Sequence, residues 1–450
     1  MDNYNVNNDT ICAIATAPAG ALGVIRVSGK EAISIVSVMC KAISDDTLAN
    51  TSHFTTLRNK NDEIIDEVVV TLFRAPHSYT GEDVIELSCH GSSYIMKTIL
   101  EQLVEQGCRM AQPGEFTQRA FLNGKMDLSQ AEAVADLIAA HNKASHNVAL
   151  SQLRGNVSSE LSMLRDKLLK LTSLLELELD FSDHEDLEFA DRVELLDIAQ
   201  TIEKRICTLA KSFETGQALK QGIPVAIIGK TNVGKSTLLN QLLKDDRAIV
   251  SDVHGTTRDT IEDNIDINGI NFRFIDTAGI RQTSDEIEKI GINRTYQAVE
   301  KARIIIWMIE NDNDLDEYEV IKKLTEGKKL IVVRNKIDKT KSEKLPDVID
   351  IAAKYGTNMQ QLEREIYNAA ELTELDNNDI IITSARHYEA LTHAQKSINN
   401  VISGIESQLS GDLISEDLRQ TLYYLAEITG GQITTEETLS NIFKNFCVGK

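Results

Sequence analysis

A stretch in the middle of the chain has the residue types and spacing needed to hold a phosphate group. Residues 229–236 read G-K-T-N-V-G-K-S, with the apolar run 225–228 before them and helical spacing over 237–243 after them. Glycines let backbone N–H groups surround phosphate oxygens at a helix N-terminus, Lys235 can reach the β and γ phosphates, and the Ser236 hydroxyl can bind Mg²⁺. We therefore predict a P-loop; the alternative is a glycine-rich turn that binds nothing.

Further motifs follow in the order that a GTP-binding domain requires. G-T-T-R-D at 255–259 lies in a loop, where the hydroxyl of Thr257 can complete the metal shell. D-T-A-G at 276–279 ends an apolar strand, and its Asp can hold the Mg²⁺ shell while its Gly N–H senses the γ-phosphate. N-K-I-D at 335–338 offers a carboxylate that accepts two hydrogen bonds from guanine, whereas adenine would leave it unpaired. GTP is therefore the expected nucleotide.

The residue after D-T-A-G is Ile280, where Ras-type GTPases carry a glutamine that orients the attacking water. An apolar side chain cannot polarise water, so another group must do so. Carboxylates follow in the same region and could orient a water. No isolated arginine is an obvious arginine finger, although two are candidates; for each of these residues ordinary surface charge is the alternative. These candidates are Asp285, Glu286, Glu288, Arg258 and Arg281.

Composition limits the class of protein. A chain of 450 residues, 42% hydrophobic with 5 prolines, indicates a helix-rich globular protein of about two to four domains. The 6 cysteines are scattered without a C-x-x-C pair, which disfavours a disulfide framework and a zinc site and favours a reducing compartment. A net charge of −22 argues against broad electrostatic binding to nucleic acid, so such a partner needs a local basic surface or another protein.

The sequence gives no signal for membrane attachment. Residues 1–5 are polar and lack the basic region of a signal peptide, and the apolar run 304–309 is far too short to span a bilayer. The stretch F-C-V-G-K at 446–450 does not fit a prenylation box. We expect a cytoplasmic protein without a membrane partner.

Residues 1–120 have the pattern of a mixed α/β domain. Short apolar runs predict strands, and helical spacing that ends at Gly107 predicts a helix. Arg26 and Glu86 stand among apolar strand residues, where a charge must be paired or must face a ligand. The alternative is a simple alternation that turns both side chains outward. The predicted strands cover 11–15, 24–27, 67–73 and 84–87, and the predicted helix covers 93–106.

The sequence becomes helical in character from about residue 126. No turn signal interrupts it from Ser129 until Gly155, and helical spacing then continues to about Leu219. Leucines at helical steps from Leu161 to Leu179 predict a core-facing stripe of a helical bundle. The acidic run 180–186 can be interpreted as a metal site, but solvated charge at a helix junction explains it as well.

A nucleotide-binding part interrupts this helical sequence, which resumes over 387–408 and 415–444. Within it, Ala352 stands where GTPases carry the serine of the guanine loop. The simplest architecture is a Ras-like domain inserted into a helical domain, because insertion is tolerated where the inserted unit's termini lie close together. We therefore predict a multidomain α/β plus all-α chain. It has an N-terminal α/β domain at 1–120, a discontinuous helical bundle at 121–218 and 379–450, and an inserted Ras-like P-loop GTPase domain at 219–378.

The chain resembles, over essentially its whole length, the bacterial and organellar tRNA modification GTPases called MnmE or TrmE. Besides the GTPase motifs, the resemblance is carried by 23–29, 79–83, 113–117, 119–123 and the terminal C-x-G-K. It implies an N-terminal folate-binding and dimerisation domain and a homodimer that joins the flavoprotein GidA (MnmG) in a heterotetramer. The implied reaction modifies C5 of the wobble uridine of certain tRNAs, in the carboxymethylaminomethyl manner. Its one-carbon unit comes from 5-formyl- or methylene-tetrahydrofolate.

The resemblance also implies roles for single residues. The implied folate contacts are Arg26, Glu86, Lys125 and Lys450, and Cys447 matches the family's functional cysteine. Implied K⁺ ligands are Asn232, Ser251, Val253 and Thr256, and implied Mg²⁺ ligands are Ser236 and Thr257. Glu288 matches the carboxylate that orients the attacking water, and we predict that Lys235 and Cys447 are catalytic as well. Implied GTP contacts are Asn232, Val233, Gly234, Lys235, Ser236, Thr237, Ser251, Asp252, Val253, His254, Gly255, Thr256, Thr257, Asp276, Thr277, Ala278, Gly279, Asn335, Lys336 and Asp338.

The rival class is a regulatory or ribosome-assembly GTPase that binds RNA as a switch and performs no modification chemistry. Such a switch shares the G-T-T-R-D loop and the apolar residue after D-T-A-G. It would not need the N-terminal α/β unit or the terminal Cys and Lys, and would usually carry a basic RNA-binding domain. A free-standing folate enzyme is disfavoured, because it would not need GTP.

Overall fold

The computed structural model describes residues 9–17, 20–180, 192–246, 263–275, 297–339, 345, 347–371, 380–431, 439, 442–444, 446 and 449. The chain divides into two compact units. Unit 1 comprises Met1–Ala135, Gln152–Ser173 and Ser415–Lys450, and unit 2 comprises Asp136–Ser151 and Leu174–Ile414.

Unit 1 contains a six-stranded sheet. Its strands are β1 (Ile11–Ile14), β2 (Leu22–Ser28), β3 (Thr51–Arg58), β4 (Ile64–Phe73), β5 (Val84–His90) and β6 (Arg109–Met110). Their order is β3-β4-β5-β2-β1-β6, with β1 and β6 parallel and the other neighbouring pairs antiparallel. Helices α1 (Ala32–Met39), α2 (Ser93–Glu105) and α3 (Glu115–Leu122) follow β2, β5 and β6.

Alternation along β2 decides which face of this sheet carries charge. Ile25 and Val27 are fully buried and pack in one apolar cluster with residues of α1 and α2, such as Val36 and Ile99. Successive side chains of a strand point to opposite faces, so Arg26 lies on the other face of the sheet.

Between residues 128 and 221 the described residues form four helices and short connections. They are α4 (Leu128–Ala139), α5 (Lys143–Leu153), α6 (Asn156–Asp180) and α7 (Arg192–Gln221). The expectation of an uninterrupted segment up to Gly155 is wrong, because α4 ends at Ala139. Asn142 starts the next helix, since its Oδ1 accepts a hydrogen bond from the Ser145 N–H at 2.8 Å. An Asn side chain at a helix start often accepts such a hydrogen bond from a backbone N–H that has no partner within the helix.

The leucine stripe of α6 is confirmed for the side chains that the structure describes. Its members are buried at helical steps, as expected for a face turned to a core. They are Leu161, Leu164, Leu168, Leu171 and Leu175. The side chain of Leu179 and most of the acidic run 180–186 lie outside the described residues.

Unit 2 contains the second six-stranded sheet, with the order β12-β11-β10-β7-β9-β8. Its strands are β7 (Ile223–Gly229), β8 (Asp263–Ile267), β9 (Ile270–Phe274), β10 (Ile304–Ile309), β11 (Lys329–Arg334) and β12 (Val348–Asp350). Neighbouring strands are parallel except for the antiparallel edge pair β8–β9. Connecting segments include α8 (Lys235–Asp246), the 3₁₀ helix Asp312–Glu317, α9 (Tyr318–Leu324) and α10 (Met359–Ala369).

The central strand of this sheet, β10, is buried at every position, as expected for a parallel strand covered on both faces. In such sheets ligands bind beyond the carboxyl ends of the strands. Here the ends of β7 and β11 lead directly into G-K-T-N-V-G-K-S and N-K-I-D. The topology therefore brings the two predicted nucleotide motifs to one edge.

Helices α11 (Ala385–Glu406) and α12 (Gly411–Thr429) follow the second sheet. Within unit 2, α11 packs along α7: the rings of Phe213 and Tyr388 stack with centroids 4.6 Å apart. Gln395 Nε2 donates to Glu203 Oε1 at 3.2 Å in the same interface. Helical segments from both sides of the second sheet in sequence therefore pack together. No helix among the described residues is long and apolar enough to cross a bilayer.

Candidate functional site

The predicted P-loop lies between β7 and α8, and two glycines shape it. Gly229 has φ 146°, and a Cβ there would lie 2.4 Å from Met308 O. Gly234 has φ 101°, and a Cβ there would lie 2.3 Å from Asn335 Nδ2. Both positions combine a left-handed backbone with neighbours too close for a side chain, so they require glycine. The first turn of α8 follows, with Leu238 N donating to Gly234 O at 2.9 Å.

Lys235 folds back across this loop. Its Nζ donates to Gly229 O at 2.6 Å and to Lys230 O at 2.8 Å. Burial lowers the pKa of Lys235, because taking an ammonium out of water disfavours its charged form. The described partners of this ammonium are neutral carbonyl oxygens, and a phosphate bound in the loop would give it an anionic partner. Ser236 is half-buried in the first turn of α8, next to Lys235.

The rim of the loop is open. Asn232 has φ 63° and is exposed, and Thr237 is exposed at the start of α8. Val233, by contrast, is buried and anchors the loop in the apolar core below the sheet edge. The loop thus presents polar groups outward on an apolar base.

Asn335 joins the second motif to the P-loop. Its buried side chain donates from Nδ2 to Val233 O at 2.8 Å and accepts at Oδ1 from Ala353 N at 3.0 Å. Lys336 has φ 65°, and its Nζ pairs with Glu310 Oε2 at 2.6 Å. The structure therefore brings the P-loop, N-K-I-D and the loop after β12 together through one amide.

The carboxylate and the loop that would hold a guanine ring are placed at the same edge. Asp338 is exposed, so its carboxylate is open to a base. Ala352, the departure from serine, exchanges backbone hydrogen bonds of 3.3 Å with Thr357 in both directions. The turn at 352–357 is therefore closed by its backbone and does not need the missing hydroxyl.

Arg334 is a residue that the sequence analysis missed. It immediately precedes Asn335, its side chain is only 2% exposed, and its Nε and Nη2 donate to the two oxygens of Asp350 at 2.7 and 3.0 Å. It also pairs with Asp312. The signal available in sequence was a cation at the end of the apolar strand β11. Arg334 fixes the strand ends that carry the base-binding motif.

Several predicted site residues lie outside the described residues. They are Ser251, Asp252, Val253, His254, Gly255, Thr256, Thr257, Asp276, Thr277, Ala278, Gly279, Glu288, Cys447 and Lys450, together with the candidates Arg258, Arg281, Asp285 and Glu286.

A second candidate site lies in unit 1 around Arg26. Arg26 on β2 and Glu86 on β5 are register partners, and Arg26 Nε and Nη2 donate to Glu86 Oε1 at 2.9 and 2.8 Å. The two side chains are 18% and 28% exposed. Among the described residues nothing bonds to Oε2 of Glu86. The pair thus lies on the charged face of the sheet with one carboxylate oxygen available to a donor.

Two aromatic rings and Gly449 lie around the Arg26 guanidinium. Its Cζ lies 5.4 Å from the ring centre of Tyr79 and 5.6 Å from that of Phe116. Its Nη1 donates to Gly449 O at 3.2 Å. Gly449 has φ 91°, and a Cβ there would lie 2.2 Å from Ile14 O. The backbone of Gly449 therefore rests on β1, beside Arg26.

Tyr79 is held by its hydroxyl, which lies 2.9 Å from Thr117 Oγ1, and burial raises the pKa of this phenol. Lys125, which follows α3, packs against the loop between β4 and β5 that carries Tyr79: its exposed ammonium donates to Pro76 O at 2.8 Å, and its stem lies beside Gly81. The structure thus joins Arg26 and Glu86 directly and brings Lys125 into contact with the loop that carries Tyr79.

Comparison with known proteins covers the whole chain. Residues 10–125 match the family model described as GTP-binding protein TrmE N-terminus, and residues 128–447 match the MnmE helical domain. The protein named tRNA modification GTPase MnmE from Bacteroides thetaiotaomicron is 52% identical, over 99% of this chain and 100% of its own. Its namesakes from Phocaeicola vulgatus and Flavobacterium johnsoniae are 51% and 46% identical; each alignment covers 99% of this chain, and 99% and 100% of theirs. The chain belongs to the MnmE (TrmE) family.

Proposed function

We propose that the protein is a GTPase that acts in tRNA modification. The observation that carries the proposal is the Asn335 side chain, which ties the P-loop backbone to the loop after β12 and so assembles the phosphate and base sites at one edge. Membership of a family whose named members are tRNA modification GTPases supplies the reaction class. In this proposal residues 219–378 are an inserted Ras-like G domain within helical segments 121–218 and 379–450.

For GTP, the P-loop holds the phosphates and Asp338 reads guanine. The glycine cradle and the desolvated Lys235 fit a triphosphate, because backbone N–H groups and an ammonium are the donors such a group needs. Ser236 and Thr257 would hold Mg²⁺, which would supply positive charge against the negative charge that develops on the phosphates during hydrolysis.

For hydrolysis, we propose that K⁺ takes the place of an arginine finger. The proposed K⁺ ligands are Asn232, which lies at the open rim of the loop, and Ser251, Val253 and Thr256, which lie outside the described residues. Glu288 orients the attacking water in place of the missing glutamine. The test is the steady-state GTPase rate in potassium and in sodium chloride at equal ionic strength. Equal rates would remove the potassium proposal without touching GTP binding.

For the one-carbon unit, we propose that 1–120 binds a tetrahydrofolate at Arg26, Glu86, Lys125 and Lys450, with Cys447 beside it. The donor set supports this: a carboxylate with one oxygen free of hydrogen bonds among the described residues can accept from a pterin's amino and ring N–H groups. The aromatic rings beside Arg26 offer flat surfaces against which a pterin ring can pack. The position of Gly449 supports a return of the C-terminal segment to this site.

The protein then acts as a cytoplasmic homodimer with the flavoprotein GidA (MnmG) in a heterotetramer, on C5 of the tRNA wobble uridine. The decisive experiment is mass spectrometry of tRNA nucleosides from a deletion strain complemented with wild type or Cys447→Ser. Wild type should restore the carboxymethylaminomethyl-type nucleoside, and Cys447→Ser should not, while purified Cys447→Ser still hydrolyses GTP. Unchanged nucleosides in the deletion strain would favour an RNA-binding switch instead.

A further inference from the structure

Four segments of unit 1 meet in a group of charges to which the proposed function gives no role, and which we call the Arg119 cluster. The chain before β1, the loop before β5, strand β6 and helix α3 each contribute to it. Every member forms an ion pair with another member. The members are Asp9, Glu82, Arg109, Glu115 and Arg119.

Arg119 contacts all the carboxylates of the cluster. Its Nη2 lies 2.8 Å from Asp9 Oδ1 and 3.1 Å from Glu115 Oε1, and its Nη1 lies 3.2 Å from both oxygens of Glu82. Its side chain is 4% exposed. Burial alone would raise the pKa of Asp9 and of Glu115, but hydrogen bonds from Arg109 and Arg119 hold both pKa values below their usual range. These carboxylates therefore stay ionised, and the fork of Arg119 has fixed partners.

Glu82 connects the cluster to the loop before β5. Ser28 Oγ, at the end of β2, donates to Glu82 Oε2 at 2.8 Å and lies 2.7 Å from Thr80 Oγ1. From the other side, Nδ2 of Asn123, at the end of α3, donates to Thr80 O at 2.7 Å. The loop is thus held between α3 and the strand that carries Arg26.

The same loop and the same helix supply both rings beside Arg26. Tyr79 precedes Thr80 in the loop, and Phe116 lies in the first turn of α3. A shift of the loop against α3 would therefore change the spacing of Tyr79 and Phe116 around the guanidinium. An ion pair removed from water adds little net stability compared with an apolar replacement. The buried pairs of Arg119 are therefore better explained by the geometry that they fix than by the stability that they add.

We propose that Arg119 is a positioning residue for the Arg26 site: by pairing with Glu82 and Glu115 together, it fixes the loop on α3 and sets Tyr79 against Arg26. The inference rests on the proposed folate site. Arg119 does not touch the ligand in this account. It acts through Glu82 and the loop.

The test measures the dissociation constant of 5-formyltetrahydrofolate for the full-length protein by calorimetry. Arg119→Lys keeps the charge and loses the planar fork that holds several carboxylates at once. We expect about tenfold weaker binding, within the range for coupling through a packed network. Hydrogen exchange of residues 76–83 should rise in the same variant.

Arg109→Lys is the matched control. Arg109 pairs with Asp9 and Glu115 in the same cluster, but within the described part of the chain it forms no ion pair with Glu82. It should therefore leave the dissociation constant and the exchange of the 76–83 loop close to wild type, whatever it does to stability. If Arg109→Lys weakens binding as much as Arg119→Lys, the cluster only maintains the fold, and positioning by Arg119 is wrong.

A double-mutant cycle tests the route through Glu82. Glu82→Gln keeps the size and one oxygen of the side chain, so it also serves if Arg119→Lys does not fold. The effects of Glu82→Gln and Arg119→Lys on binding should be non-additive, because both remove the same contact. Additive effects, or loosened exchange with unchanged binding, would overturn the inference and leave the folate site standing. Failure of the wild-type protein to bind the probe would overturn both.

Discussion

Lys235 is the residue on which phosphate binding depends, and its surroundings give a quantitative expectation. The ammonium is taken partly out of water and bonds only to the loop's own carbonyls among the described groups. Lys235→Ala should weaken binding of a fluorescent GTP analogue about 10- to 100-fold, the loss of a hydrogen bond to a charged group. Lys230→Ala, an exposed position in the same loop paired with Asp314 and Glu317, should change little. Similar losses in both variants would contradict a specific role for Lys235.

The carboxylates of the Arg119 cluster predict how stability depends on pH. Asp9 and Glu115 have lowered pKa values in the folded protein, with ordinary values of 3.8 and 4.5. Their contribution to the free energy of unfolding is therefore complete above the ordinary values and is lost as pH falls through the lowered folded values. Asp9→Asn should therefore reduce the loss of unfolding free energy of unit 1 as the pH falls. Denaturant titrations between pH 2 and 6, an interval that brackets both ordinary values, measure this slope. Asp62→Asn, in an exposed turn, should keep the wild-type slope.

At the scale of the element, the strand–loop–helix of the P-loop depends on a backbone that only glycine adopts easily. Gly234→Ala places a Cβ 2.3 Å from Asn335 Nδ2 at φ 101°, so it strains the loop and displaces the amide that joins the two motifs. We expect a stability loss of about 1–3 kcal/mol and a loss of GTP affinity. Chemical denaturation and nucleotide titration measure the two effects.

Gly327→Ala provides the control for backbone strain alone. Gly327 also has a left-handed φ, of 76°, but a Cβ there would meet nothing within 4 Å. It should lose some stability and keep GTP affinity. Equal losses of affinity in both variants would show that the contact with Asn335 is not what matters.

How well each element could be predicted depends on its burial. The strands around Ile25 and Leu87 were visible because a buried face produces alternation in the sequence. Strand β3 escaped prediction, since Leu57 is the one buried position among its 8 residues. The break before α5 was missed because a single Asn142 cap causes it.

The candidate sites follow the same logic. Lys235 and Asn335 could be predicted because each motif is contiguous and its chemistry is local. The Arg119 cluster could not be predicted, because Arg119 and Asp9 are 110 positions apart and no local sequence pattern indicates that they pair. Arg26 and Glu86 were singled out as charges in apolar strands, and the structure shows that they pair with each other across neighbouring strands.

For the whole molecule, we predict a constitutive homodimer in which edge strand β3 takes part. Phe54 is 73% exposed and its register partner Val69 is 40% exposed, on an edge strand whose backbone can pair with another chain. Sedimentation of the full-length protein at micromolar concentration should show a dimer, and Phe54→Glu should shift it toward monomer. Val320→Glu, at a position in unit 2 that is 68% exposed, should leave the dimer intact. A monomeric wild type would refute the prediction.

The hydrogen bond between Arg26 and Gly449 spans 423 positions of sequence, and this has a consequence for biosynthesis. Ribosomes add roughly 5–20 residues per second, so Gly449 is made on the order of 20 to 80 s after Arg26. The strands around Arg26 have ample time to form while the nascent chain still lacks its partner for that guanidinium. A stop codon just before Gly449 would therefore release molecules that keep the P-loop and bind nucleotide but carry an uncovered Arg26, so late truncations would separate the two sites.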